Sequence, residues 1–530
     1  MTKQSASYSN PVLPGFYPDP SIARARDDFY LVCSSFEYFP GVPIFHSRDL
    51  IHWEQIGHVL DRTSQLDLAG RKSSDGIYAP TLRYQDGTFF MITTDVRGIG
   101  NFYVTATDPA GPWSDPILVP YGGIDPSLFF DDDGKVYVTA QQGVDYNSHV
   151  IQYEIDIATG KALSEPVVIW RGDGGPWTEG PHLYKINGMY YIMTASGGTA
   201  KDHREIIGRS SSPYGPFELY GQPILTHRSI EHPIQYLGHA DLVEDGNGDW
   251  WAVFLGVRLV DSGYSVLGRE TFLAPVTWNE AGWPMIDNNE GTVNLNMSVS
   301  GVPEQDLAAS PMPEMEGYLG PKGIAGARVL GSKDDFESDE LGLAWTFLRS
   351  PMEGSWSLAE RAGWLALHGQ AAGLSDLGRT TFVGRRQQHV QAAYSTCLQF
   401  SPQDGEEAGL CARRDEHAHY EIALKRVNGR NVVTALLTIR GETHAAGEVQ
   451  VDGNQIWLKI EADVTAYTLF YSLGGQNWSR LAIGPARALS PEDFVNKMCF
   501  TGVVIGLYAS GNGKPSSGPA YFDWFETEIG

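Results

Sequence analysis

Cysteine is scarce. The 530 residues contain four, Cys33, Cys397, Cys411 and Cys499, and no Cys-x-x-Cys spacing. A disulfide scaffold and a cysteine-based zinc site are therefore not expected. Long apolar runs are also missing, and nothing approaches the ~18 residues of a membrane-spanning helix. Cations are few, with 38 Lys and Arg against 64 Asp and Glu, a formal net charge of −26. Such a chain repels polyphosphate and anionic lipid, so neither nucleic acid nor a membrane surface is an expected partner. The opening residues, MTKQSASYSNPVL, hold no apolar segment of the secretory kind. The expectation is a cytoplasmic protein, or a secreted one if a leader has been removed.

Helical periodicity is rare as well. What is present instead is short alternating runs, such as Phe29–Cys33, Phe89–Thr93 and Lys135–Thr139. Asp86-Gly87, Asp133-Gly134, Asn187-Gly188 and Asn247-Gly248 punctuate them, a pattern of β-hairpins closed by two-residue turns. Five segments repeat one plan, opening at Asp19, Ala79, Asp125, Glu179 and His239, 46 to 60 residues apart. That period suits four-stranded blades around an axis. The chain is thus expected to be all-β, with a five-bladed β-propeller over residues 1–300. A proline-bearing linker follows over 301–332. A second β-rich region, 333–530, has the length of a β-sandwich of the jelly-roll kind.

The repeat also predicts a site. Innermost propeller strands line the axis, so the repeat openings converge on one mouth of it. Three carboxylates and a histidine would then meet, and crowding like charges raises at least one pKa. Glycoside hydrolysis needs this arrangement, because one carboxyl must stay protonated to release the leaving oxygen while another stays ionised to activate water.

The residues at these positions resemble glycoside hydrolase family 43. Asn10-Pro-Val-Leu-Pro-Gly-Phe-Tyr-Pro-Asp-Pro-Ser-Ile22, Gly123-Ile-Asp-Pro-Ser-Leu128 and Thr178-Glu-Gly-Pro-His182 resemble its three principal motifs. Gly76–Pro80, Gly238–Asp241 and Leu267–Glu270 extend the match through the propeller, and Arg385–His389 and Phe500–Gly502 extend it into the second region. The resemblance implies an inverting mechanism with Asp19 as general base, Glu179 as general acid and Asp125 as modulator of the acid's pKa. It implies that Arg269 binds sugar hydroxyls and supports Asp125, and that Phe36 shapes the pocket. Tyr78 stands where many relatives carry a tryptophan, and Phe500 is the candidate for a loop by which the sandwich closes the pocket. His239 resembles a histidine that helps hold calcium near the axis, directly or through water. No organic cofactor is implied. The two-domain layout resembles the β-xylosidase and α-L-arabinofuranosidase branch, an exo-acting enzyme on xylo-oligosaccharides or arabinoxylan and arabinan fragments. An endo-acting arabinan hydrolase and a non-catalytic carbohydrate-binding propeller are the alternatives. The sandwich is also an expected place for contact between copies in a homo-oligomer.

Overall fold

The computed structural model describes residues 5–260, 263–287, 292–300, 329–493 and 499–530. Among them there is no α-helix, only three short 3-10 turns. The residues expected as a linker lie outside the described residues from 301 to 328, and 329–332 belong to the strand Val329–Asp334.

Five antiparallel sheets form the propeller, each beginning at an innermost strand. These strands are Ser21–Ala25, Thr81–Gln85, Ile124–Phe130, Glu179–Ile186 and Ile234–Glu244. The predicted turns divide into two kinds. Asp86-Gly87 and Asn187-Gly188 take positive φ at both residues, which matches the twist of a two-residue hairpin. At Asp133-Gly134 and Asn247-Gly248 only the glycine does so, in longer turns closed by Asp131 with Lys135 and by Asp245 with Asp249.

The segment before blade one closes the ring by joining blade five. Ser5–Ser9 pairs with Asn296–Ser300, and Leu13 exchanges backbone hydrogen bonds with Thr271. The Asn10 amide both donates to and accepts from the Leu273 backbone at 2.9 Å. On the axis, Asp241 accepts hydrogen bonds from Ser21 (2.5 Å), Arg83 (2.8 Å) and Tyr184 (2.7 Å). Arg83 in turn reaches His182, which also contacts Ser127, so this one buried network ties all five blades.

The second region is two facing eight-stranded antiparallel sheets around a large apolar core. The eighth strand of one sheet comes from the propeller: Tyr38–Phe39 pairs with Thr346–Leu348. Around this shared strand the seam is polar and buried. The Arg349 N–H donates to the Glu37 carbonyl at 2.8 Å, and Arg413 donates to Ser73 Oγ at 3.2 Å. The Ser74 N–H donates to the Glu37 carboxylate at 2.9 Å, while Ser74 Oγ accepts from the Phe500 N–H at 2.9 Å. The loop bearing Ser73 and Ser74 is therefore positioned from both domains.

Candidate active site

A cavity of about 610 Å³ opens at one mouth of the propeller axis. All eight residues singled out from the sequence line it: Asp19, Phe36, Tyr78, Asp125, Glu179, His239, Arg269 and Phe500. Asp19, Asp125 and His239 share left-handed backbone, with φ of 54°, 50° and 56°. Asp and His enter this region more readily than most residues, and outside turns such positions recur at functional sites. At the fourth repeat the following residue, Gly180, takes the positive φ instead. A Cβ on Gly180 would lie 2.1 Å from the His239 ring, so only glycine fits beneath that imidazole.

The carboxylates are not equivalent. Asp19 receives Arg269 on both oxygens (2.8 and 3.3 Å), His239 Nδ1 at 3.0 Å and Ser34 Oγ at 2.6 Å. Burial alone would raise its pKa. The Arg269 charge, with the His239 and Ser34 contacts, overcomes this and holds the carboxyl well below the ordinary range. Asp125 accepts the Gly180 N–H at 3.1 Å and lies 3.8 Å from His239 Nε2. Its pKa is raised, by burial first and by the Asp19 charge, against the pull of His239. Glu179 is pushed up to about 8, by burial and then by Asp125. Burial opposes the charge on His239, but Asp19, Asp125 and Glu179 lift it to about 9. At neutral pH the site thus holds an ionised Asp19, a protonated Glu179 and an imidazolium between Asp19 and Asp125.

The expected support of Asp125 by Arg269 is electrostatic, without a hydrogen bond. The Arg269 hydrogen bonds go to Asp19 and, at 3.4 Å, to Thr199 Oγ1, and none goes to Asp125. The reason is local: the Tyr17 N–H donates to the Arg269 carbonyl, which seats the arginine beside the strand entry that carries Asp19. Asp125 feels Arg269 only through its charge.

The aromatic wall comes from both domains. Phe36 and Phe500 stack with centroids 5.5 Å apart, Tyr78 packs on both at 5.2 and 5.7 Å, and Arg269 lies over Phe36 and Phe500. Sequence reasoning missed Ser34, the Ser73–Asp75 loop, Trp177 and the Gly197–Ala200 loop as parts of the site. Ser34 and Trp177 were within reach, since they flank Phe36 and the Thr178–His182 motif. The two loops carried no signal.

The donors present do not fit calcium. Calcium takes six to eight oxygens. Here His239 Nδ1 is bonded to Asp19, Nε2 faces Asp125, and Gly180 packs on the ring. The axial space lined by Asp19, Asp125, His182 and His239 measures about 10 Å³, near the size of one water. Among the described residues no three or more His, Cys, Asp or Glu side chains are grouped to hold a metal ion. No step below uses one.

Comparisons with known proteins agree with this architecture. The family model described as "Glycosyl hydrolases family 43" matches residues 8–284. The "Beta xylosidase C-terminal Concanavalin A-like domain" matches residues 333–528. The chain is similar to a non-reducing end α-L-arabinofuranosidase of Bacteroides ovatus, 42% identical over 98% of this chain and 94% of the relative. It is also similar to a xylosidase/arabinosidase of Butyrivibrio fibrisolvens, 39% identical over 98% and 99%. Among solved structures, a xylan β-1,4-xylosidase of Bacillus halodurans superposes with a TM-score of 0.88 at 32% identity, covering 98% of this chain and 100% of that one. With both domains matched over their length, the chain belongs to glycosyl hydrolase family 43.

Proposed function

We propose that the protein is an inverting, exo-acting glycosidase that removes β-D-xylose, α-L-arabinofuranose or both from pentose-containing oligosaccharides. The observation that carries this reading is the split in protonation across one cavity. Asp19 is held ionised and Glu179 is held as an acid up to about pH 8. Two carboxyls whose environments drive their pKa values apart make an acid and base pair.

The steps follow from the residues. Asp19 takes a proton from the attacking water as it approaches the anomeric carbon. Glu179 gives its proton to the departing glycosidic oxygen on the opposite face of the sugar, so the anomeric configuration inverts. Asp125 keeps Glu179 protonated by like-charge repulsion and is steadied by the Gly180 N–H. Arg269, Ser34 and His239 hold the base carboxylate in position and ionised. The exo assignment draws on the Phe500 wall, which narrows the cavity from the sandwich side, and on the printed name of the Bacteroides ovatus relative. The pentose assignment draws on the relatives named xylosidase, arabinosidase and arabinofuranosidase.

Initial rates on p-nitrophenyl β-D-xylopyranoside and p-nitrophenyl α-L-arabinofuranoside, with Asp19→Asn as the blank, test the reading. Turnover of either supports it, and silence on both overturns it. NMR of the first-formed anomer tests inversion. Glu179→Gln is expected to lose about 10²–10⁴-fold on an unactivated disaccharide and far less on p-nitrophenyl substrates, which need little protonation.

A further inference from the structure

We propose that Trp177 is the platform for the leaving-group sugar, selecting substrates in which the released pentose is attached to another sugar ring. This rests on the pentosidase reading above. Trp177 lines the same cavity as Glu179 and precedes it by two residues. Its φ of 56° places a bulky indole in left-handed backbone, which large L side chains avoid. Strain of this kind persists only where the surroundings enforce it.

The surroundings here do enforce it. The Trp177 N–H donates to the Asp145 carbonyl at 3.1 Å, and the Gly197 N–H donates to the Pro176 carbonyl at 2.8 Å. Just before them, Asp173 accepts Arg204 Nε at 2.7 Å and Nη2 at 2.9 Å. Asp173 also accepts Ser196 Oγ at 2.8 Å and the Gly175 N–H at 3.0 Å. Gly198 clears space beside the indole, since a Cβ there would stand 3.1 Å from Trp177 Cδ1. The indole itself is half-buried and has no ring or cation packed on it among the described residues. A rigid mount that holds a strained aromatic side chain against an open cavity is what a stacking site for a ligand requires.

Its place decides which sugar it meets. Phe36, Tyr78 and Phe500 form a separate cluster on blades one and two and the sandwich, beside the base-bearing blade. The acid must reach the linking oxygen, so the leaving sugar lies beside the Glu179 strand, where Trp177 stands. A pyranose ring offers an apolar C–H face to an indole, whereas a methyl leaving group offers almost none.

The test compares kcat/KM on β-1,4-xylobiose and on an arabinofuranosyl xylotriose with kcat/KM on the methyl glycoside of the same pentose. Wild-type, Trp177→Ala and Trp177→Phe proteins are measured alongside their melting temperatures. In Trp177→Ala the oligosaccharide-to-methyl ratio is expected to fall about 30-fold, mainly through KM, with Trp177→Phe restoring most of it. An unchanged ratio overturns the platform. So does a parallel loss on both substrates with a lowered melting temperature, which would make Trp177 a strut for its loop. Wild-type rates report on the pentosidase reading separately, and no turnover of any pentoside sinks that reading and the platform with it.

Discussion

At the cavity mouth, Asp19, Asp125, Glu179 and His239 crowd four titratable groups together. One step further along the same innermost strands, Asp241 also sits buried with charged and polar neighbours. The two layers differ in how their demands are met. Asp241 is surrounded by donors from Ser21, Arg83, Tyr184 and the backbone, and Arg83 with these contacts outweighs burial to hold its pKa well down. The upper layer has three carboxyls for the cations Arg269 and His239, and of the three only Asp19 is hydrogen-bonded to either cation among the described residues. At Glu179 burial and the Asp125 charge outweigh the pull of His239 and Arg269. The satisfied layer binds the blades together, and the frustrated layer is the one to which the proposed chemistry is assigned. Buried charge alone does not identify an active site, whereas buried charge left incompletely paired points to one.

Substitutions can break this contrast. The largest effect is expected from Asp19→Asn, with a loss of about 10²–10⁴-fold in kcat on activated and unactivated pentosides alike, because water still needs its base. Stopped initial-rate assays check this, and near-normal turnover on p-nitrophenyl substrates would contradict the assignment. Asp241→Asn should act on stability instead. It strands the Arg83 charge in the axis, and about 3–5 kcal/mol is the usual penalty for breaking a buried pair. Denaturant unfolding should show the loss, while the fraction still folded keeps kcat within about threefold of wild type, since Asp241 contacts no reacting group.

The pH dependence separates the layers further. With Glu179 at about 8, kcat/KM should hold through neutrality and fall about tenfold per pH unit above pH 8. The acid limb should lie below the ordinary carboxylate range, set by Asp19. The stability contributions run in opposite directions. The lowered pKa of Asp241 gives stability that is present above its unfolded value of ~3.9 and is lost on acidification. The raised pKa of Glu179 gives a penalty that grows from its unfolded value of ~4.3 up to about 8. The smallest expected effect follows: Glu179→Gln should raise the apparent Tm by about 2–4 °C at pH 9 and by nothing near pH 4. Calorimetric scans at the two pH values measure it, and a Glu179→Gln protein less stable than wild type at pH 9 would refute the frustration account.

Much of this was legible in the chain before folding was considered. Alternating strands and Asp-Gly or Asn-Gly turns act over a few residues, so the blades and their hairpins could be read locally. The ring of Asp19, Asp125, Glu179 and His239 was legible because repetition places equivalent residues at equivalent radii. Arg269 is legible as a site residue, but its hydrogen bonds to Asp19 are not, because they depend on Tyr17 seating it beside Asp19. Trp177 escaped notice although it adjoins a motif, since nothing in its neighbours reveals that its backbone is left-handed.

The all-β class, the fivefold repeat, the second β region and the residue types at the axis are written in the chain. These follow from short-range patterning and from periodicity, which are properties of the chain. Packing is what makes Tyr38–Phe39 complete a sandwich sheet, brings Ser74 to Phe500 and pairs Arg269 with Asp19. It also decided which carboxyl keeps its proton. Those outcomes depend on burial and on the distance between residues hundreds of positions apart, quantities that come into existence only when the chain is packed.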